Sequence, residues 1–396
     1  MFEVPTTFAA PHVPFTQPVV SRDGADAVAA LIASGELKSG GALTRRCSER
    51  LQADLGAASV LMVQSCTAAL ELSAILLDLQ PGDEVIMPSF GFASAANAFV
   101  LRGTVPVFVD ICEDTLNIDP ARAADAITDR TRAIVPVHYA GIGAPMERLL
   151  PLAAEHGLAV IEDAAQAIGA SYRGRPLGTF GALGTFSFDA TKNLTCGTGG
   201  ALVVNDPELV ERAEWIRDCG TDRAGFARGE SSRYQWVDAG SNYALNELAA
   251  AYLAPQLDHV AETSRRRRHI WDRYHAAFAP LEAQGVLRRP IVPEDCEPNG
   301  HAYGVIMPTP AARDALIRDL AAVRITASFH FVPLHSAPAG LEFGRTNGPM
   351  HHTDALSSRL VRMPLWTDMT DAHTDRVIAA VARATGADVD PRDLTR

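Results

Sequence analysis

The chain has 396 residues, a net charge of −12 and 47% hydrophobic residues. A chain of this length is expected to form two domains, or a large domain with a smaller lobe, because a single hydrophobic core rarely serves so many residues. The negative net charge argues against nucleic-acid binding, which needs a basic surface. No apolar run is long enough to span a bilayer, so we expect neither a nucleic acid nor a membrane as a partner.

The N-terminus and the cysteines bear on the cellular compartment of the protein. The N-terminal stretch MFEVPTTFAAPHVPF lacks the basic segment followed by an apolar one that marks a secretory signal. The six cysteines are scattered, at positions 47, 66, 112, 196, 219 and 296, without a CxxC pair. This spacing indicates free thiols in a reducing compartment and no metal site, so we expect a cytoplasmic protein.

Between residues 58 and 205, short apolar segments alternate with helical ones. Seven apolar segments are rich in Val, Ile and Phe and are continuous, as expected of strands buried on both faces. In chain order they are SVLMVQS, EVIMPSF, VPVFVDI, AIVPVHYA, LAVIEDA, LGTFSF and GALVVN. Helices are predicted between them at 67–79, 93–102 and 146–156. The alternation predicts an α/β fold with a mostly parallel, seven-stranded sheet between helices, whose ligands bind beyond the carboxyl ends of the strands.

The pattern changes after residue 205. A helix is predicted at 208–217, then a polar loop, then a long helix at about 246–281 with a kink at Pro255. The remainder indicates a smaller C-terminal α/β domain: a strand in HAYGVIMP, a helix at 311–322, a strand in ITASFHFV and a final helix near 371–385. We place the boundary in the long helix, so that residues 1–255 form the large domain and 256–396 the small one. The basic run at 265–268 is interpreted as a solvated helix face.

The lysines are unusual in number and in place. Only Lys38 and Lys192 occur among the 35 basic residues, and the other 33 are arginines. A lysine amine can lose its proton and attack a carbonyl carbon, whereas a guanidinium effectively cannot. Lys192 lies in SFDATKNLTCGTGG, between a strand and a glycine-rich segment, and is therefore a candidate Schiff-base residue. Lys38 is interpreted as a surface charge.

Three other segments that follow predicted strands support the same chemistry. Asp163, at the end of VIED, could keep a pyridine nitrogen protonated and so make pyridoxal phosphate (PLP) an electron sink. The turn in VQSCTAALELSA aims backbone N–H groups and a helix dipole at an anion such as a phosphate. The aromatic rings of MPSFGFASAANAF could stack on a flat ring. Each segment also has an ordinary explanation: a helix cap or buried salt bridge for Asp163, a Ser65 or Thr67 cap for the turn, and core packing for the aromatics.

No serine-hydrolase elbow, P-loop, HExxH or dinucleotide-binding fingerprint stands in a suitable place in the chain. Over nearly its whole length the chain instead resembles the DegT/StrS family of PLP-dependent nucleotide-sugar aminotransferases, which have the type I aspartate-aminotransferase fold. The segments that carry the resemblance are GDEVIMPSFGFASAANAF, VPVHYAG, VIEDAAQAIGA, GTFSFDATKN, GGALVVN, GSNY and FVPLH.

The resemblance implies a role for each matching residue. Lys192 would form the Schiff base with PLP, and Asp163 would pair with the pyridinium nitrogen. The remaining cofactor-binding residues would be Gln166 near the ring hydroxyl, Phe92 stacked on the ring, Cys66 and Thr67 in the phosphate-binding turn, Ser187 on the phosphate, and Asn242, reaching the phosphate from a partner subunit. The asparagine thus implies a homodimer with shared active sites, and a lysine rather than a histidine at position 192 favours transamination over dehydration.

The amino-acid sequences of the motifs are most similar to those of the branch that makes dTDP-4-amino-4,6-dideoxygalactose. That branch takes its amino group from L-glutamate and its ketone from dTDP-4-keto-6-deoxyglucose. Ala244, Ala249 and Gly91 stand where the family often has Arg, Gln and Thr, a departure that bears on substrate contacts rather than on the cofactor.

Three further side chains are candidates for substrate contact. His330 and His335, in FHFVPLH, could line the sugar entrance, and Tyr139 is a similar candidate; a structural histidine pair and core packing are the alternatives. Two other functions stay open. One is transamination at sugar C3 or on another secondary-metabolite ketone, and the other is a non-catalytic PLP-binding regulator.

Overall fold

The computed structural model describes residues 11–387, so part of the N-terminal stretch used to argue against a secretory signal lies outside the described residues. The α-helices of this part are α1 (Arg22–Ser34), α2 (Ala42–Leu55), α3 (Cys66–Leu76), α4 (Ala93–Val100), α5 (Pro120–Asp125), α6 (Met146–Glu155), α7 (Val210–Arg217), α8 (Arg223–Ala227), α9 (Glu247–Leu257), α10 (Val260–Ala277), α11 (Ala279–Ala283), α12 (Pro310–Ala322), α13 (Pro338–Phe343), α14 (His351–Ser357) and α15 (Asp371–Thr385).

The strands are β1 (Ser59–Val63), β2 (Glu84–Pro88), β3 (Val105–Val109), β4 (Thr131–Ile134), β5 (Ala159–Asp163), β6 (Ser171–Tyr172), β7 (Arg175–Pro176), β8 (Leu183–Ser187), β9 (Gly200–Val204), β10 (Cys296–Glu297), β11 (Gly304–Ile306), β12 (Arg345–Thr346) and β13 (Leu360–Arg362). The helices predicted at 67–79, 93–102 and 146–156 correspond to α3, α4 and α6, with ends that agree within three residues. None of the described helices is both long and apolar enough to cross a bilayer.

The central sheet runs in the order β1-β9-β8-β5-β4-β2-β3-β12. Strands β8, β5, β4, β2, β3 and β12 are parallel to one another, and β9 is antiparallel to both β1 and β8. The predicted α/β fold with a mostly parallel sheet is therefore confirmed, although the sheet has an eighth strand, β12, that the sequence did not indicate. Because β1 is parallel to β8, the carboxyl ends of β1, β2, β4, β5 and β8 meet at one edge.

Burial on both faces explains why the strand segments are apolar without interruption. Every residue of β2, β8 and β9 is buried. Side chains alternate between faces along a strand, so Val60 and Met62 pack into one hydrophobic cluster while Leu61 and Val63 pack into the other. Burying a branched side chain of this size stabilises the fold by about 1.5–3 kcal/mol, so the two clusters hold the edge of the sheet in a fixed position.

The C-terminal part departs from the prediction in two places. The predicted helix at 246–281 is three helices: α9 contains Pro255 and ends two residues later, α10 begins at Val260, and α11 follows. Proline supplies no N–H to the helix ladder, which accounts for an end at this point. The strand predicted in ITASFHFV is wrong. Ser328 exchanges backbone hydrogen bonds with Arg362, but this bridge is isolated and does not continue into a strand. The domain boundary at residue 255 stays a prediction.

The eighth strand is joined to the sheet by a buried carboxylate on β2. Glu84 is 1% exposed and accepts hydrogen bonds from Arg345 Nε (3.0 Å) and Nη2 (2.8 Å), from Arg130 Nη2 (2.8 Å) and from the Thr128 hydroxyl (2.7 Å). The bond from Arg345 is the main cause that lowers the pKa of Glu84 from 4.5 to about 2. A contact between Arg345 and Glu84 cannot be inferred from local sequence, because 261 residues separate them.

We expect Glu84→Gln to lower the free energy of unfolding by about 3 kcal/mol at neutral pH, because it removes the charge that compensates Arg345. The folded chain keeps Glu84 ionised at a pH where the unfolded chain protonates it, so its stabilisation is complete above pH 4.5 and is lost as the pH falls toward 2. Urea unfolding of wild type and variant between pH 7 and 3.5 measures the difference, which should shrink below pH 4.5. A difference that does not change with pH would contradict the assignment.

Arg130→Gln is the matched control. Its guanidinium bonds the same carboxylate but is 68% exposed, so we expect a loss of no more than about 1 kcal/mol.

Candidate active site

A cavity of about 660 Å³ opens at the edge of the sheet where the carboxyl ends of the strands meet. Eight of the eleven predicted site residues line it: Cys66, Thr67, Phe92, Asp163, Gln166, Ser187, Lys192 and His330. They are far apart in sequence. Seven of them converge because each ends or follows a strand of the sheet at this edge, and His330 comes from the C-terminal part of the chain. Tyr139, His335 and Asn242 lie elsewhere.

Lys192 lies in the connection between β8 and β9, in a turn in which its N–H donates to the Asp189 carbonyl (3.0 Å). Burial lowers the pKa of its ammonium; the neighbouring Cys66 and Asp163 oppose that shift, and the charge of Arg362 adds to it. Lys192 makes no salt bridge within residues 11–387. A buried amine with a lowered pKa is more readily available in its neutral form, which is the form that attacks carbonyl carbons and accepts protons.

Asp163 is the last residue of β5, and its side chain enters the cavity near Lys192. One carboxylate oxygen accepts the N–H of Ala165 (3.0 Å), and the other accepts no hydrogen bond from the described residues. Burial raises the pKa of this carboxyl, while Lys192 and His138 partly offset the shift. A cationic N–H group placed against the open oxygen would keep the carboxylate ionised, so the position suits a protonated ring nitrogen.

The amino end of α3 forms another wall of the cavity, at Ser65, Cys66 and Thr67. Ser65 caps this helix by accepting the N–H of Ala68 (3.0 Å), and its carbonyl accepts the N–H of Ala69. The N–H groups of Cys66 and Thr67 belong to the first turn, where backbone donors lack a partner inside the helix. Together with the helix dipole, they make this wall a favourable place for an anion.

Gly200 brings Ser187 next to that wall. Ser187 and Val63, the last residues of β8 and β1, are both paired with Gly200 on β9. A Cβ atom at Gly200 would lie 2.4–2.6 Å from backbone atoms of Ser65 and Cys66, so only glycine lets β9 pass this close to the turn. The Ser187 hydroxyl and the first N–H groups of α3 therefore surround one small volume.

Phe92 and Gln166 offer a ring face and an amide to the same cavity. Phe92 is the residue before α4 and is 64% exposed, and its closest aromatic neighbour is Phe331, with ring centroids 6.3 Å apart. Gln166 Oε1 accepts the N–H of Ala140 (2.7 Å). That bond orients the amide so that its NH₂ group remains available as a donor to a bound molecule.

Tyr139 lies behind His330 and does not line the cavity. Its hydroxyl is 3.1 Å from His330 Nδ1. Burial raises the pKa of Tyr139 to about 12 and lowers that of His330 to about 2, so the hydrogen bond joins two side chains that are uncharged at neutral pH. Tyr139 thus fixes the orientation of His330 instead of contacting a substrate directly.

His335 and Asn242 also lie away from the cavity of their own chain. His335 Nδ1 is 2.7 Å from the Ser89 hydroxyl and its Nε2 is 3.4 Å from Asp354, which gives the ring a structural position. Asn242 is exposed, and its carbonyl accepts a hydrogen bond from the Gln64 side chain.

The sequence analysis missed the wall that comes from the C-terminal part. It includes Arg267, His301, Ser328 and Arg362, and Phe15 from the N-terminal stretch lies beside them. The interpretation of residues 265–268 as a solvated face is wrong for Arg267, which is 2% exposed and donates to the carbonyls of Gly300 (3.2 Å) and His301 (2.8 Å).

A helical pattern could have identified Arg267. It stands four residues after Thr263 and three before Ile270, which are buried positions of the same face of α10. Arg362 carried no such signal, because it ends a three-residue strand.

A buried pair lies beneath Asp163 and holds the end of β5. His138 Nε2 is 2.8 Å from Glu162, and His138 Nδ1 accepts the N–H of Ala144, so Nε2 carries the proton that Glu162 accepts. Glu162 also accepts backbone N–H groups from Gly178 (2.9 Å), Phe180 (2.5 Å) and Gly181 (2.8 Å). With its four lone-pair positions occupied, this carboxylate fixes the residue that precedes Asp163.

The described residues contain no group of three or more His, Cys, Asp or Glu side chains that could hold a metal ion.

The sequence of the chain is similar to those of one family of known proteins. The model of the DegT/DnrJ/EryC1/StrS aminotransferase family matches residues 19–382. The sequence is 34% identical over 377 residues to the spore coat polysaccharide biosynthesis protein SpsC of Bacillus subtilis, an alignment that covers 93% of this chain and 96% of SpsC.

Solved structures give the same relation. The aminotransferase TlmJ from Streptoalloteichus hindustanus is similar with a TM-score of 0.87 and 32% identity, over 95% of this chain and 100% of TlmJ. Spr1654 of Streptococcus pneumoniae, whose PLP and PMP forms are both solved, is similar with a TM-score of 0.87 and 25% identity; its PLP form is matched over 96% of this chain and 100% of that one.

Proposed function

Since the chain belongs to the DegT/DnrJ/EryC1/StrS aminotransferase family, we propose that it moves the amino group of L-glutamate to the C4 ketone of dTDP-4-keto-6-deoxyglucose. The products would be dTDP-4-amino-4,6-dideoxygalactose and 2-oxoglutarate. The enzyme is an aminotransferase and its cofactor is PLP. The observation that carries the proposal is the buried Lys192 amine beside Asp163, in a cavity with an anion-binding wall.

The residues of the cavity fit PLP in three respects. The open oxygen of Asp163 offers a place for the ring nitrogen. The first turn of α3 and Ser187 surround a volume that suits a phosphate, and glycine at position 200 keeps that volume free of a side chain. The Gln166 amide and the exposed ring of Phe92 remain for the hydroxyl and the face of the pyridine. Lys192 would hold the cofactor covalently.

The residues around the cofactor divide the work of transamination. PLP, when bound, withdraws electrons from the carbon that gains or loses the amino group. Lys192 Nζ would act as the base and acid that moves the proton, and the lowering of its pKa by burial makes the neutral amine more available as the base. Asp163 would stabilise positive charge at the ring nitrogen through its open oxygen.

Asn242 would complete the phosphate site of the other subunit in a homodimer. Asn242 is exposed and lies next to Gln64, in the turn that follows β1, which supports this proposal. A monomeric mass in analytical ultracentrifugation of the PLP-loaded protein would contradict it.

A cytoplasmic location is part of the same proposal. The six cysteines are all free, as expected in a reducing compartment. Recovery of the native protein from a secreted or membrane fraction of cells would contradict this location.

The test of the proposed reaction separates it into two steps. The purified protein should be yellow, and L-glutamate alone should bleach it as the amino group passes to the cofactor; the aminated enzyme should then convert dTDP-4-keto-6-deoxyglucose to a product whose NMR spectrum shows an axial amine at C4. Ping-pong kinetics are expected.

Each alternative function predicts another outcome of that test. Amination at C3, or turnover only of another ketone from a panel, would replace the substrate but keep the enzyme class. A yellow protein that glutamate and other amino acids leave unchanged would favour a non-catalytic PLP-binding regulator.

A further inference from the structure

His301 brings an imidazole ring into the cavity from the C-terminal part of the chain. It is 5% exposed, and it lines the cavity together with Lys192 and Asp163. Its backbone is held at two points: the N–H donates to Asn299 Oδ1 (3.0 Å), and the carbonyl accepts from Arg267 Nη2 (2.8 Å). The main chain therefore fixes the base of the side chain, and the contacts of the ring decide which nitrogen is left for the cavity.

The proton of this imidazole is placed by Asn193, the residue that follows Lys192. Asn193 is 2% exposed; its Nδ2 donates to the Asn299 carbonyl (3.3 Å), and its Oδ1 lies 3.0 Å from His301 Nδ1. The opposite orientation of the amide would set two acceptors, Oδ1 and the Asn299 carbonyl, against each other. Since an amide oxygen only accepts hydrogen bonds, Nδ1 carries the proton and Nε2 carries a lone pair.

Nε2 of His301 is the ring nitrogen that is left for a ligand. It makes no hydrogen bond within the part of the chain that the structure describes. Burial lowers the pKa of His301 well below its ordinary value, and the charges of Lys192 and Arg362 lower it further, so the ring is uncharged at neutral pH. An acceptor without a partner is costly in a nearly buried side chain, so a donor from a bound molecule is expected to complete it.

The need for a donor distinguishes between the two substrates of the proposed reaction. The carboxylates of glutamate offer only acceptors, and its amino group is the one that passes to the cofactor. A ketosugar brings hydroxyl groups, which can donate. After burial, the charge of Lys192 has the largest effect on the pKa of His301, so the imidazole lies near the amine that works on the reacting carbon. A hydroxyl on the carbon next to the ketone therefore fits best.

We propose that His301 Nε2 accepts a hydrogen bond from the hydroxyl group on the carbon next to the ketone, and so selects α-hydroxy ketones for the second half of the reaction. In dTDP-4-keto-6-deoxyglucose this group is the 3-hydroxyl, because C5, the other neighbour of C4, carries a methyl group and the ring oxygen. The assignment rests on the proposed function, which supplies the ketosugar. Asn193 is a positioning residue, since it holds the proton on Nδ1 and leaves Nε2 free.

The test uses the PLP-loaded enzyme and follows each half of the reaction separately. His301→Asn keeps an amide N–H for Asn193 near the position of Nδ1 but has no acceptor at the position of Nε2. The second-order rate constant of the aminated variant with dTDP-4-keto-6-deoxyglucose should fall about 20-fold, as expected when a buried hydroxyl loses its partner. The rate of bleaching by L-glutamate should change by no more than about threefold.

Two further ligands show whether the loss belongs to that hydroxyl. dTDP-4-keto-3,6-dideoxyglucose lacks the 3-hydroxyl, so wild type and His301→Asn should aminate it at rates within about threefold of each other. dTDP-6-deoxygalactose keeps the 3-hydroxyl but has no ketone and cannot react. Its equilibrium Kd for the aminated enzyme, measured by calorimetry, should rise about 10-fold in His301→Asn.

Two variants serve as controls. His301→Gln can place its amide oxygen near the position of Nε2 but loses the contact with Asn193, so its rate with the ketosugar should fall between those of wild type and His301→Asn. A purely structural role predicts the reverse order, with His301→Gln the more damaged variant. His269→Asn removes a histidine of α10 whose side chain is 60% exposed, and it should leave both halves unchanged.

Four results would overturn the assignment. They are an unchanged rate of His301→Asn with the ketosugar, an equal loss in both halves of the reaction, an equal loss with the analogue that lacks the 3-hydroxyl, and a greater loss in His301→Gln than in His301→Asn. An unchanged Kd of dTDP-6-deoxygalactose would contradict it as well.

Failure of the proposed function looks different. If glutamate bleaches the wild type but the dTDP-ketosugar is not aminated, the sugar is wrong. The comparison is then made with the ketones of the panel that the enzyme does aminate. The role of His301 stands if His301→Asn loses only ketones with a neighbouring hydroxyl, and it fails if the variant loses all ketones alike.

Discussion

Replacing Lys192 with alanine or arginine is expected to lower kcat by about 10⁴-fold or more, because each variant removes both the covalent attachment of the cofactor and the group that moves the proton. Arginine is the informative replacement, since it keeps the positive charge in the buried site but supplies no nucleophilic amine. The measurement is the steady-state rate with glutamate and the ketosugar, together with borohydride reduction and peptide mass mapping, which should place the pyridoxyl group on Lys192 in the wild type alone.

Lys38 is the matched control for this experiment, because it is the other lysine of the chain. Its side chain is 79% exposed and makes a long contact with Glu36 (3.8 Å). Lys38→Ala should keep its activity and should remain yellow. A pyridoxyl group found at Lys38, or a Lys192→Arg variant that still turns over, would contradict the proposed function.

Asp163→Asn is expected to lower kcat by about 10²–10³-fold, because the amide cannot stabilise positive charge on a ring nitrogen. The stability of the cofactor-free protein should respond in the opposite way. Burial raises the pKa of Asp163, so the ionised carboxylate destabilises the fold above its ordinary pKa, and the isosteric amide removes that cost. We therefore expect the Tm of the cofactor-free variant at neutral pH to equal or exceed that of the wild type.

These two measurements separate a cofactor partner from a structural carboxylate. If Asp163 were part of a stabilising buried salt bridge, the variant would melt several degrees lower, as expected for a loss of about 3 kcal/mol. A lower Tm with an unchanged kcat would thus assign Asp163 to the fold. Asp163→Glu keeps the charge but displaces it, and we expect it to recover only part of the lost rate.

The difference between Asp163 and Glu162 shows how adjacent residues of one strand take different tasks. Side chains alternate along β5, so Glu162 points to the interior, where His138 and backbone N–H groups occupy its oxygens. Asp163, on the other side, keeps one oxygen open to the cavity. The satisfied carboxylate holds the strand end in place, and the unsatisfied one is left for a ligand.

The sequence by itself determined the elements that surround the cofactor. Continuous runs of Val, Ile and Phe specify strands buried on both faces, and parallel strands bring their carboxyl ends to one edge whatever the details of packing. Lys192, Asp163 and the turn at Cys66 could therefore be placed together from local patterns alone. The resemblance to a family added Gln166, Phe92 and Ser187, which the structure also places in the cavity.

Only the tertiary structure decided which residues close the cavity from the other side. Arg362 and Arg267 reach it through contacts between segments that are distant in sequence. His335 stands in the same segment as His330, FHFVPLH, but contacts Ser89 and Asp354 away from the cavity. The strand β12 has two residues and is joined to β2 by Arg345 and Glu84. Arg267 follows the helical period of α10, but the contacts of Arg362 and Arg345 leave no periodic trace, because their stability depends on burial and charge compensation that exist only after the chain has folded.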